Sequence, residues 1–348
     1  MFAPYTCMRA RLQPTVQRTY IIVLGLLLAP GMAAAQKPAA ADAQQTLAVQ
    51  VALDSAGFSP GEIDGRGGPK TRAALSAFQK SSNVQPTGVA NEETLAALRL
   101  PAEPVVTYTI TDQDAAGPFV EKLPEDMMER SKLPSLAYTS ALELLAEKFH
   151  SSQALLQALN PGATWSAGSA IKVPAVEPFD LPSKGEKPAA TKPAPGAAKP
   201  AGPTAKPAAG APAGSEVIVS GASKSVEVRD AAGKILMYAP VTVGSEKDPL
   251  PFGDWKVVGV SWNPVFNYNP DLFWDADPAH AKAKIPAGPN NPVGVVWVDI
   301  NKQHFGLHGT PEPSTIGRTE SHGCIRLTNW DAAKLGRLVS AGTKVTIQ

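Results

Sequence analysis

Apolar residues are spaced in distinct ways along the chain, and the spacing changes at sharp boundaries. Tyr20–Ala29 (YIIVLGLLLA) is an unbroken apolar run, too short to span a bilayer comfortably. From Gln45 to Leu100 the period is helical. Leu47, Val51 and Leu53 begin a stripe that stops at Gly57, and Ala74, Leu75 and Phe78 share one face of a helix predicted from Thr71. Thr94–Leu98 forms a third helix after Gly88. Between Tyr108 and Pro174 the pattern predicts a strand at Tyr108–Thr111, helices at Ser140–His150 and Ser152–Leu159, and a strand at Ala170–Pro174. Ser183–Gly214 has no periodicity. Beyond Glu216, short β-type runs dominate: Val217–Val219, Ser225–Arg229, Ile235–Gly244, Trp255–Trp262, Val293–Ile300 and His304–His308. Asn263–Pro292 is a proline- and asparagine-rich excursion suited to a substrate loop. Thr328-Asn329 caps a helix that runs to about Ser340, and Lys344–Ile347 closes as a strand.

These patterns predict a multidomain chain. Residues 45–100 form a small three-helix unit, too small for an enzyme cleft of its own. Residues 105–178 form a small α/β module with an insertion between Tyr108 and Tyr138. Residues 183–214 are a Pro/Ala/Lys-rich linker that cannot bury a core, and 215–348 form a β-rich domain of mixed-sheet or sandwich type. The 348 residues suffice for several ordinary cores. A net charge of +1 gives no support for nucleic-acid binding. Arg9, Arg11 and Arg18 precede the apolar run and Ala33-Ala34-Ala35 follows it, so residues 1–35 read as a signal peptide. The protein is then secreted, with no membrane anchor after cleavage.

The leader makes the cysteine count informative. The chain has two cysteines, and Cys7 lies in the leader, so the mature protein carries Cys324 as an unpaired thiol into an oxidising compartment. Around it stands Leu307–Leu327, LHGTPEPSTIGRTESHGCIRL. A thiol with a pKa of about 8.5 needs a base or a positive field to act as a nucleophile. His322 is two residues from Cys324 across a glycine, an awkward spacing for in-line deprotonation. His308 comes from a separate strand and is the expected general base, with the Gly309 carbonyl orienting its other nitrogen. The N–H groups of Gly323 and Cys324 are the expected oxyanion donors, with His322 supporting that pocket. Arg326 suits a substrate carboxylate; Ser321 and Thr310 complete the expected binding residues. No cofactor or metal is called for.

Three motif sets carry resemblances to known families. IDGRGGPKTRAALSAFQ followed by GVANEETLAAL resembles the peptidoglycan-binding domain of cell-wall hydrolases and transpeptidases, with Asp64-Gly65, Gly68, Thr71, Ala74, Phe78-Gln79, Gly88 and Thr94 at its characteristic positions. His308-Gly309, then Ser321-His322-Gly323-Cys324-Ile325-Arg326, preceded by IPAGPNNPVGVVW, resembles the YkuD-type L,D-transpeptidases. The strand–helix–helix–strand order of 105–178, with LNPG before xIKVP, is similar to a LysM carbohydrate-binding module, the insertion being the departure. The transpeptidase resemblance implies acylation of Cys324 by a peptidoglycan stem tetrapeptide, release of D-alanine and transfer to an amine. It implies a periplasmic, cell-wall-associated protein whose partners are stem peptides and glycan strands, with a wall-linked protein as an alternative acceptor.

Rival readings keep the same residues. His308, His322 and Cys324 could ligate zinc, though His-x-Cys is not a common chelate spacing. Water as acceptor would give a carboxypeptidase or endopeptidase. A degenerate third domain would leave a non-enzymatic wall-anchoring protein.

Overall fold

The computed structural model describes residues 40–181 and 214–348. The expected leader, and the linker apart from Gly214, lie outside the described residues. The first unit holds α1 (Ala40–Ser55), α2 (Pro69–Ser81) and α3 (Glu92–Leu98). Pro69 opens α2, where its missing N–H costs nothing. Asn91 caps α3 by accepting from the Thr94 N–H. The buried amide of Gln79 ties the unit together, donating to Thr94 and Val89 and accepting from the Gly88 N–H.

The second unit comprises β1 (Val105–Thr109), α4 (Asp112–Ala116), α5 (Met127–Arg130), α6 (Ala141–Lys148), α7 (Gln153–Leu159) and β2 (Ala170–Pro174). β1 and β2 pair antiparallel. The two short helices α4 and α5 occupy the segment read as an insertion. Its residues Leu123, Met127, Leu133 and Leu136 pack with Phe266, Tyr268, Phe273 and Ile285 of the proline-rich excursion.

The third unit contains β3 (Glu216–Ser220), β4 (Ser225–Arg229), β5 (Ile235–Pro240), β6 (Gly253–Trp262), β7 (Phe266–Tyr268), β8 (Ala283–Ile285), β9 (Val296–Ile300), β10 (Gly306–His308), β11 (Ile325–Arg326), α8 (Asn329–Leu338) and β12 (Lys344–Ile347). Among the described residues, eight strands form one sheet in the order β11-β10-β9-β6-β12-β3-β4-β5. The β10–β11 and β12–β3 pairs are parallel and the others antiparallel. Beyond β5, Thr242 exchanges both backbone hydrogen bonds with Arg326, and the Ser321 N–H donates to the Val243 carbonyl. The sheet therefore curls until its ends meet, taking the place of two stacked sheets. Alternation of buried and half-buried positions in β3 and β9 puts valines inside. The excursion carries the hairpin β7–β8, which the composition hides.

The described units share cores. The first unit supplies Leu47, Val51 and Ile63 to the core of the second, while Ile235 and Tyr238 of β5 join the core of the first. The backbone at Gly57–Ser59 hydrogen-bonds to Tyr238, covering the free edge of β5. α1 is thus buried on two sides, which explains a weak apolar stripe in a well-packed helix. Ile63 is fully buried, so Ile63→Ala should cost ~2–5 kcal/mol and weaken both helical units together in urea unfolding. A second unit whose transition does not move would show that the cores are separate.

Candidate active site

Strand register assembles the site. β10 and β11 pair Leu307 with Ile325 and His308 with Arg326. Leu307 and Ile325 point into the core, so alternation sends His308, Arg326 and, one step earlier, Cys324 to the opposite face. His308 also pairs with Trp297 of β9, and the two rings stack 5.3 Å apart with planes 15° from parallel.

His308 is buried. Its Nδ1 lies 2.7 Å from the Gly309 carbonyl oxygen. A carbonyl only accepts, so Nδ1 carries the proton and Nε2 is left with a lone pair. Burial, with Arg326 adding repulsion, pushes the imidazole pKa down to about 3, against the Gly309 hydrogen bond. Burial also raises the Cys324 thiol, partly offset by the Gly306 N–H and by Arg326. The resting pair is a neutral thiol and a neutral imidazole, with the thiol directed at the His304 carbonyl 3.6 Å away.

The loop carrying Cys324 is shaped by its neighbours. Ser321 Oγ donates to the Cys324 carbonyl at 2.5 Å, and Gly323 turns with φ +95°, where a Cβ would strike Phe305. Among the described residues, the N–H groups of Gly323 and Cys324 have no acceptor. His322 points away toward the excursion: its Nε2 is 2.9 Å from Asp275, and its ring touches Phe273 and Trp274. Among the described residues its buried Nδ1 has no hydrogen-bond partner. The Arg326 guanidinium is half-buried and makes no ion pair among the described residues; burial lowers its pKa, while Cys324 and Glu312 raise it. Thr310 is buried and its hydroxyl accepts from the Glu312 N–H. Among the described residues no group of three His, Cys, Asp or Glu side chains could hold a metal.

Trp297, Asp275, Asn329 and Glu147 border the site without having been read from the sequence. Asn329 looked like part of a helix cap, yet Thr328 is the cap, accepting from the Asp331 N–H. The Asn329 side chain is instead wholly buried behind His308, and a Cβ on Gly309 or on Gly294 would lie 2.1 Å from its Oδ1. Glu147, on α6, accepts from Asn329 Nδ2 and from the Tyr138 hydroxyl. It lay among the apolar residues of a predicted helix, with nothing to mark it. Of the remaining histidines, His150 pairs with Asp54 and stacks on Trp330, and His280 bridges Tyr268 and Asp126.

Two predictions follow from this geometry. Gly309→Ala forces a methyl group into Asn329, so it should displace the carbonyl that holds His308 and cost ~1–3 kcal/mol of stability; unchanged melting and unchanged reactivity of Cys324 would refute the close fit. Burial raises the Glu147 pKa to about 8, so its stabilising effect is complete below the unfolded value and lost as pH rises to about 8. Glu147→Gln removes that titration, so its stability relative to the native protein should increase between pH 5 and pH 9 in denaturant titrations. A constant difference would contradict the assignment.

Two stretches of the chain match known domain families. Residues 214–347 match the YkuD L,D-transpeptidase catalytic domain, and residues 42–98 match a putative peptidoglycan binding domain. Over 59 residues the chain is 48% identical to a putative L,D-transpeptidase, YkuD, of Bacillus subtilis, a stretch covering 17% of this chain and 36% of that protein. It is 36% identical over 90 residues to a probable L,D-transpeptidase, YbiS, of Escherichia coli, covering 26% of this chain and 28% of that one. The chain thus spans about a third of the length of these curated relatives. Among solved structures, an L,D-transpeptidase from Mycobacterium smegmatis is similar at 22% identity and a TM-score of 0.32, over 39% of this chain and 58% of that one. Residues 214–347 thus match an L,D-transpeptidase catalytic domain, on a chain whose residues 42–98 match a putative peptidoglycan binding domain.

Proposed function

We propose that the protein is a secreted, periplasmic peptidoglycan L,D-transpeptidase that uses Cys324 as nucleophile and His308 as base. The observation that carries this is the locked tautomer of His308, which leaves Nε2 as an acceptor on the sheet face that bears the thiol. Nε2 takes the thiol proton as Sγ attacks the carbonyl carbon preceding the terminal D-alanine of a stem tetrapeptide. The oxyanion so formed is held by the Gly323 and Cys324 N–H groups, and Arg326 receives a stem carboxylate. Collapse breaks the peptide bond, and the departing amine takes the proton from His308, leaving a thioester. An acceptor amine then attacks the thioester, giving its proton back through His308 to the thiol.

Two low resting tendencies to ionise fit this sequence. A neutral pair does not react with stray electrophiles, and the proton moves only when a substrate carbonyl is in place. The peptidoglycan-binding unit engages the wall, and residues 105–178 are a LysM-like module that contacts glycan. Among the described residues no helix is long and apolar enough to cross a membrane.

The test is intact-protein mass spectrometry with a stem tetrapeptide. The native protein should gain the mass of the acyl tripeptide on Cys324, and Cys324→Ala should gain none and lose turnover. Iodoacetamide should abolish activity and EDTA should leave it intact. Activity surviving Cys324→Ala, or vanishing with EDTA alone, would overturn the assignment. Product analysis with and without an added amine separates transfer from hydrolysis.

A further inference from the structure

The second unit reaches the catalytic centre through one face of α6. Glu143 and Glu147 are one helical turn apart, so they project on the same side. Each grasps an asparagine of the catalytic domain. Glu143 accepts from Asn290 Nδ2 at 2.8 Å, and Glu147 accepts from Asn329 Nδ2 at 3.1 Å through both of its oxygens. The Asn329 amide has no remaining freedom. Its Oδ1 accepts from the Val295 N–H, and its Nδ2 also donates to the Pro289 carbonyl.

Asn329 in turn bounds the place where two glycine backbones cross. An added Cβ on Gly294 would be 2.7 Å from the Gly309 Cα, and Gly294 has a φ of +62° that favours glycine. With no slack at this crossing, a shift of Asn329 is transmitted to Gly309. The Gly309 carbonyl is the acceptor that holds His308 in its tautomer and orientation.

We propose that Glu147 is a positioning residue for the catalytic pair: its carboxyl group fixes Asn329, Asn329 fixes the Gly294–Gly309 crossing, and the crossing aims His308. This rests on His308 serving as the base at Cys324. The second unit then completes the active site and is more than a binding accessory. A buried acid facing another domain is costly, and burial does raise its pKa. Within its own unit the carboxyl group accepts from the Tyr138 hydroxyl, and its other hydrogen bonds run across the interface to Asn329.

The test uses the full chain with Glu147→Leu, Glu147→Gln and Tyr138→Phe, the last removing one hydrogen bond from the same carboxyl group. Two rates are measured: acylation by the stem tetrapeptide, and alkylation of Cys324 by iodoacetamide as a function of pH. Glu147→Leu should lower the acylation kcat roughly tenfold or more at nearly constant KM, and its alkylation profile should move toward that of His308→Ala. Glu147→Gln, which keeps an acceptor oxygen, should stay close to the native protein, and Tyr138→Phe should fall between. Should Glu147→Leu fail to fold, a Tyr138→Phe variant with native kcat and native alkylation profile would overturn the proposal. So would a folded Glu147→Leu with native rates, or one whose loss of activity leaves the alkylation profile unchanged. If the native protein is not acylated at all, the transpeptidase reading fails, while the alkylation profiles still decide whether Glu147 acts on His308.

Discussion

The buried side chain of Asn329 is the contact on which the described arrangement turns. One amide satisfies a loop N–H, a loop carbonyl and a carboxyl group from another unit, with two glycine Cα atoms pressed against it. Its two successors do similar work. The Trp330 ring stacks on His150 of the second unit, and Asp331 accepts from the Ser59 hydroxyl of the first. Three consecutive residues at the start of α8 therefore hold the loops at Gly294 and Gly309 and both neighbouring units. Side chains at a helix N-terminus diverge in direction by about 100° per residue, so three in a row can face three partners.

Burial around this point sets the chemistry as well as the architecture. His308 is kept neutral by the low polarity behind the sheet, and the Cys324 thiol is raised for the same reason. An exposed cysteine–histidine pair would be free to ionise in the resting enzyme. Here the backbone carbonyl of Gly309, an acceptor that cannot take up charge, replaces the carboxylate that often orients a catalytic histidine. Under the proposed function, that choice leaves the imidazole uncharged until the thiol proton arrives.

The sequence made some of this legible and hid the rest for physical reasons. His308, Gly309, Ser321, Gly323, Cys324 and Arg326 stand close together in the chain, with two glycines and a thiol to mark them, so a local motif was enough to nominate them. The helices at Ser140–His150 and Ser152–Leu159 were readable because their apolar positions repeat within a few residues. β11 and the hairpin β7–β8 were not: strands of two or three residues have too few positions to show alternation. Val293–Val295 read as strand because it is apolar, but Gly294 turns there to let Gly309 pass. Glu147 and Asn329 lie 182 residues apart, and no local pattern of hydrophobicity predicts a polar contact across that separation.

The docked arrangement also changes what the linker between Leu181 and Gly214 has to accomplish. Read from composition alone, it is a Pro/Ala/Lys-rich segment that cannot bury a core. With the second unit seated on α8, the linker joins two parts that already touch, and its length matters little, because each doubling of a closed loop costs only ~0.6 kcal/mol. The hydrogen bonds and shared cores at the interface then fix the second unit relative to Cys324. Under the proposed function, a wall-binding unit held there imposes an orientation on the strand it binds. Under the proposed function, the stem peptides offered to His308 and Cys324 are selected by their geometry on that strand before any side chain of the site touches them.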